Sequence, residues 1–181
     1  MVKEIIPNIL EVITLMSDIV IVIVLGVLVY AYFSKNSDLR NSVVMPLRNN
    51  YLLLGLIVSL VATLGSLYYS EVMGYTPCLL CWYQRIFMYP QVFLFGIALW
   101  KNDKRVVRYS IALSLIGGLI ALYHYTVQIG IFTTTACSAV GYSASCSDAF
   151  FTTFGYITIP MMAFTAFVLL LILGIARLKK Y

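Results

Sequence analysis

The sequence predicts an all-α, polytopic membrane protein of five spans. Three observations carry this. Of the 181 residues, 62% are hydrophobic and only 10% charged, whereas soluble domains carry about 25% charged residues. Apolar runs recur at close to the roughly 20 helical residues that a hydrocarbon core demands. The basic residues behind the net charge of +5 gather in short segments between those runs. That clustering marks membrane orientation and not a nucleic-acid partner.

The first apolar run, Ile19 to Phe33, reaches spanning length once Ile13 to Ser17 are included, with Asp18 inside it. A cleaved signal peptide is the rival. Glu11 and Asp18 precede the run and Tyr32-Phe33-Ser34-Lys35 follows it, a poor cleavage site with basic charge on the wrong side, so a retained span is expected. Residues 34–50 form a polar connector with Lys35, Arg40 and Arg48, whose Val43-Val44-Met45-Pro46-Leu47 patch suits the membrane interface. The second span runs from about Tyr51 to Tyr69. Its Gly55, Ser59, Ala62 and Ser66 form a small-residue stripe for close helix contact. A short loop, Ser70 to Thr76, follows.

The third span begins at a Cys-x-x-Cys, Cys78 and Cys81, and ends near Trp100, with Pro90 removing one helical hydrogen bond inside it. Lys101, Lys104, Arg105 and Arg108 make the most basic loop. The fourth span, about Tyr109 to Phe132, has its own stripe, Ser110, Ser114, Gly117 and Ala121, and holds the one histidine, His124. Residues 133–149 are rich in Thr, Ser, Ala and Gly, carry Cys137 and Cys146, and contain no Lys or Arg. The last span runs from about Tyr156 to Ile175, with Pro160 in its first turn, before Arg177, Lys179 and Lys180. No internal repeat is visible, and there is no room for a second soluble domain.

Ten of the twelve Lys and Arg residues lie in the connector, the 101–108 loop and the C-terminal tail. Five spans with an extracytoplasmic N-terminus put all three segments on one side, which the positive-inside rule makes cytoplasmic. Both cysteine pairs then face the extracytoplasmic side, where disulfides persist.

The Cys-x-x-Cys is the chemical centre of the sequence. Thr76 can cap the helix and Pro77 fits its first position, placing Cys78 at the positive end of the helix dipole, where a thiolate is favoured. Arg85 lies at i+4 from Cys81 and i+7 from Cys78, so the three share a face. Redox chemistry is the reading this favours. A zinc site completed by Cys137 and Cys146 is the bland alternative, chemically reasonable with four thiolates. Haem attachment is excluded, because Trp82 stands where Cys-x-x-Cys-His requires histidine. The 137/146 pair reads as an exchanging disulfide in a mobile, uncharged loop, or else as a passive staple. Arg85 either serves the cysteines or snorkels to the surface. His124 is either a hydrogen-bonded structural histidine or a cofactor contact.

Pro-Cys-Leu-Leu-Cys-Trp-Tyr-Gln-Arg-Ile-Phe-Met-Tyr-Pro (77–90) resembles the helix-start motif of the DsbB family, in particular its BdbC-type branch. Tyr123-His124-Tyr125, the second cysteine pair and Gly155-Tyr156-Ile157-Thr158-Ile159-Pro160 are similar to that branch in the same order. The likeness covers about residues 50–175. It implies two parts: residues 50–181 as a DsbB-like four-helix transmembrane bundle, and residues 1–49 as an additional N-terminal transmembrane helix with its cytoplasmic connector. It also implies an enzyme of the cell membrane that makes disulfides in a soluble, extracytoplasmic, thioredoxin-like partner of the DsbA kind and passes the electrons to a membrane quinone, of ubiquinone or menaquinone type. Cys137 would form the mixed disulfide with the partner, with Cys146 its mate. Cys78 would exchange with the loop pair and Cys81 would face the quinone. Arg85 would contact a quinone oxygen, with His124 nearby; no metal is implied. Gln84 stands where some relatives have Glu, which suggests that it is not essential. The vitamin K epoxide reductase family shares the four-helix, two-pair plan, but there the loop pair precedes the Cys-x-x-Cys. A membrane reductant passing electrons outward and a zinc-stapled scaffold are the other rivals.

Overall fold

The computed structural model describes residues 2–35, 37–132, 145–147 and 150–178. Six α-helices run through them: α1 (Val2–Phe33), α2 (Ser37–Asn49), α3 (Tyr51–Leu67), α4 (Leu79–Lys101), α5 (Val106–Gln128) and α6 (Ile159–Leu178). The extended pairing among these residues is an isolated bridge between Thr153 and Ile157. Among the described residues, four segments are long and apolar enough to cross a membrane: Ile5–Ala31, Tyr51–Val72, Val106–Gln128 and Ile159–Leu178. The chain is therefore an all-helical, multi-pass membrane protein. α4, expected as the third span, has the length at 23 residues. Its apolar character is interrupted by Gln84, Arg85, Pro90 and Gln91, and it is not among those four segments.

α3 packs on α4, α4 on α5, α5 on α6, and α6 back on α3. The small residues of the second and fourth spans lie at these contacts. Gly55 admits the Phe95 ring, to which a Cβ at that position would come within 2.5 Å. Ser110 and Ser114 do more than make room. Both hydroxyls donate to Oε1 of the fully buried Gln91, at 2.7 and 3.2 Å, while its Nε2 donates to the Phe87 carbonyl at 3.1 Å. A polar side chain in the bundle thus finds its partners inside the protein, as a hydrocarbon surround requires.

The polar connector is helical over Ser37–Asn49. Leu39, Val43 and Leu47 recur at helical spacing, Asp38 sits in the first turn of α2 and Arg48 in the last, each complementing the helix dipole. Val44 is buried, and α2 rests on α6 and α1. α3 also runs on past its expected end through a π-helical turn, Tyr68–Val72. α1 lies beside α6, outside the circuit formed by α3 to α6. It is tied there by Asp18, whose carboxyl oxygens accept from Thr165 Oγ1 at 2.6 Å and Tyr156 OH at 3.0 Å.

Candidate active site

Cys78 begins the site. Its backbone is extended (φ −76°, ψ 172°), and its Sγ accepts the Cys81 amide at 3.3 Å, making it the N-cap of α4. The sequence expectation that Thr76 caps and Pro77 opens the helix is thereby corrected. The sulfur takes the capping role itself, so the helix starts at Leu79 and Pro77 stays outside it. One turn on, Cys81 Sγ stands 2.9 Å from Cys78 Sγ, and both thiols are free.

α5 delivers His124 in its last turn. Nε2 is 3.5 Å from Cys78 Sγ, and Nδ1 is 2.9 Å from Nε2 of Gln84. The Gln84 amide donates to Nδ1, so a neutral ring carries its proton on Nε2, facing the sulfur. Cys78 is therefore met by two donors, the Cys81 amide and the imidazole, and both favour a thiolate. Gln84 is 6% exposed and His124 3% exposed, so this line of polar groups is shut away from solvent. The sequence suggested that Gln84 is not essential, and the structure places it against His124. Its signal was present: a polar residue three after Cys81 lies on the same helical face.

Arg85 is on that face too, but its guanidinium reaches to α3. Nε donates to Ser66 Oγ at 3.0 Å and Nη2 to the Ser66 carbonyl at 3.1 Å, and Tyr89 OH donates to the same hydroxyl at 3.2 Å. The contact falls just before the π-helical turn, a feature that often accompanies functional sites. Trp82 lies under the guanidinium, with Cζ 5.2 Å from the ring centroid. Ser66, expected only as a small contact residue, holds Arg85 in place.

The second cysteine pair is represented by Cys146, since Cys137 lies outside the described residues. Cys146 is disulfide-bonded and 1% exposed, and it packs with Cys78 and Val127 in one buried cluster. Cys146 thus lies as a buried half-cystine at the mouth of α4; residues 133–144 and 148–149 of the loop expected to be mobile lie outside the described residues. Aromatic stacking supports the loop: Tyr75 lies on Phe150 at 4.5 Å and on Tyr69 at 6.0 Å, and Tyr69 meets Phe151 at 5.4 Å.

On the other side of the cysteines is a cavity of about 320 Å³, within the range of ligand pockets. Cys81, Gln84, Arg85 and Met88 line it from α4, Ser66 from α3 and Met162 from α6. Its surface is mostly apolar. His124 is not on this lining; it stands behind Cys78. The ligand atoms of Cys78, Cys81 and His124 lie within 4.8 Å of one another, close enough to share a metal ion. Cys146, in a disulfide, offers no thiolate to complete a four-thiolate zinc site.

Residues 48–176 match the family model described as disulfide bond formation protein DsbB. The chain belongs to the DsbB family. It is 44% identical over 131 residues to the probable disulfide formation protein C of Halalkalibacterium halodurans, covering 72% of this chain and 95% of that protein. It is 43% identical over 118 residues to disulfide bond formation protein C of Bacillus subtilis, covering 64% and 83%. The SPbeta prophage-derived disulfide bond formation protein B of the same species is 38% identical over 131 residues, covering 72% and 87%. No solved structure matches the chain. The resemblance read from residues 77–90 is borne out: as a DsbB family member the protein is a membrane thiol oxidoreductase.

Proposed function

We propose that the protein is a thiol–quinone oxidoreductase that reoxidises an extracytoplasmic thioredoxin-like protein of the DsbA kind. The partner's dithiol is oxidised through a mixed disulfide with Cys137, and its electrons reduce the Cys137/Cys146 disulfide. The loop dithiol then reduces a Cys78/Cys81 disulfide by exchange. Finally the Cys78/Cys81 dithiol closes to a disulfide, and two electrons and two protons pass to a membrane quinone. The observation that carries this reading is the position of the Cys-x-x-Cys, with Cys146 packed against Cys78 and the Arg85 cavity against Cys81. Arg85 supplies a fixed cation to a quinone oxygen as it gains negative charge, while His124 positions the Cys78 sulfur.

In this reading α4 also crosses the membrane, as the third of five spans, its Gln84 and Gln91 satisfied inside the bundle. The N-terminus and both cysteine pairs are extracytoplasmic, and α2, the 101–108 loop and the C-terminus are cytoplasmic. Residues 50–181 form the catalytic four-helix unit, to which residues 1–49 add a helix and its connector.

The test is to supply the purified protein with a reduced thioredoxin-like protein and a quinone, following thiol loss and quinone reduction together. Equal molar loss of partner dithiol and quinone is the expected result. Thiol loss without quinone reduction removes the quinone from the reading, and quinol oxidation with partner reduction reverses its direction. The Cys78, Cys81 and His124 cluster supports one second reading, a bound zinc. Stoichiometric zinc in the purified protein, with no dithiol oxidation, would establish it.

A further inference from the structure

The cavity beside Cys81 has a wall that the DsbB family match does not include. The match begins at residue 48, yet Leu10, Ile13, Thr14 and Ser17 of α1 line the same space as Cys81 and Arg85. α1 is turned for this. Thr14 and its neighbour Glu11 are 7% and 8% exposed, while Val12, Ile19, Val20 and Ile23 on the same helix are exposed, as is the lining residue Ile13. Two contacts hold the turned face against the bundle. Asp18 accepts from Thr165 within α6 and from Tyr156 just before it. Leu10 seats on α3 at Gly65, where a Cβ would lie 3.3 Å from its Cδ1. Thus α1 and Arg85 line one cavity, together with α3 and α6.

We propose that α1 is the closing wall of the quinone site, and that Thr14 and Ser17 set which quinone heads fit against Arg85. The inference rests on the thiol–quinone reading above. An unwalled site between α3 and α6 would take any head at the depth of Arg85 and leave the guanidinium open to competing lipid groups. With α1 in place the head enters a bounded, mostly apolar space, where the charge of Arg85 is weakly screened and acts more strongly on a quinone oxygen. Side-chain volume on α1 then becomes a selectivity element.

The experiment uses the full chain with Thr14→Phe and Ser17→Phe, which fill the wall, and Val12→Phe on the exposed face as control. Two probes are used, a benzoquinone and a naphthoquinone with the same decyl tail. Quinone retained on the purified protein after gel filtration is measured, together with KM and kcat for oxidation of the Cys78/Cys81 dithiol. The wall variants should retain about tenfold less quinone and raise KM about tenfold, equivalent to about 1.4 kcal/mol of lost binding. The larger naphthoquinone should be affected more, and Val12→Phe should behave as wild type. Wild-type retention and KM in both wall variants overturn the proposal. To guard against misfolding, a photoreactive azido-benzoquinone is applied to the wild type. Label on a peptide containing Leu10 to Ser17 supports the wall, and label confined to α3, α4 and α6 overturns it. A wild-type protein that reduces neither quinone overturns the thiol–quinone reading and this inference with it, whereas one that reduces them with unaffected wall variants overturns this inference alone.

Discussion

Nε2 of Gln84 and Nδ1 of His124 stand 2.9 Å apart between α4 and α5, and this contact decides which ring nitrogen faces Cys78. Gln84→Leu frees the ring to turn and to change tautomer. Loss of one such hydrogen bond is worth about 1 kcal/mol, so partner oxidation should slow about fivefold. Gln84→Glu turns the contact round, because a carboxylate accepts from Nδ1–H and a neutral ring then presents no proton to Cys78, so its rate should fall at least as far as that of Gln84→Leu. Stopped-flow measurement of dithiol oxidation checks the order. Equal rates in all three would make the contact one of packing alone.

Arg85 is held by two hydrogen bonds to Ser66 at the edge of the cavity. Charge-assisted bonds contribute roughly 1.5–3 kcal/mol, so Arg85→Ala should slow quinone reduction about ten- to a hundredfold. Arg85→Lys keeps the charge but not the planar fork and should be impaired less. Exchange between the loop cysteines and the partner should stay nearly intact in both. Quinone kinetics unchanged in Arg85→Ala would mean that the side chain only anchors α4 to α3.

Cys146→Ser removes the resolving thiol and should trap Cys137 in a mixed disulfide with a thioredoxin-like protein. Non-reducing electrophoresis shows the adduct as a band that dithiothreitol dissolves. If instead Cys137→Ser and Cys146→Ser together leave partner oxidation at the wild-type rate, the loop disulfide is a staple.

Asp18 takes two hydrogen bonds from α6 and its approach, at 2.6 and 3.0 Å. Asp18→Ala leaves Thr165 and Tyr156 without that acceptor, and should lower stability by about 1–3 kcal/mol. Thermal unfolding in detergent checks it, with Thr165→Val expected to reproduce part of the loss. Unfolding temperatures equal to wild type would show that α1 is held by its apolar contacts.

The helices were legible because apolar runs of spanning length and the small stripes along them are local features. So was the Cys-x-x-Cys, whose spacing alone makes a dithiol at a helix start. The partners of Arg85 and His124 were not, because both are set by the packing of different helices. Nothing in the order of residues ties Ser66 to Arg85 or His124 to Gln84 until α3 and α5 lie against α4. The cap of α4 was misplaced for a smaller reason. Thr-Pro before a helix is a strong local start signal, but the helix begins two residues later, where the Cys78 sulfur takes the Cys81 amide. The helical connector was hidden by Pro46 and by its charged residues, which mask a short amphipathic face.

The stacking of Arg85 over Trp82 has an optical consequence. The chain has two tryptophans. One lies 5.2 Å from the guanidinium beside the dithiol, and the other, Trp100, is exposed at the opposite end of α4. At a rise of about 1.5 Å per residue they are ~27 Å apart along the axis. A molecule brought against Arg85 alters the field over the near indole and leaves the far one as an internal reference. The protein therefore carries its own fluorophore at the site, and its emission can follow occupancy in real time without any attached label.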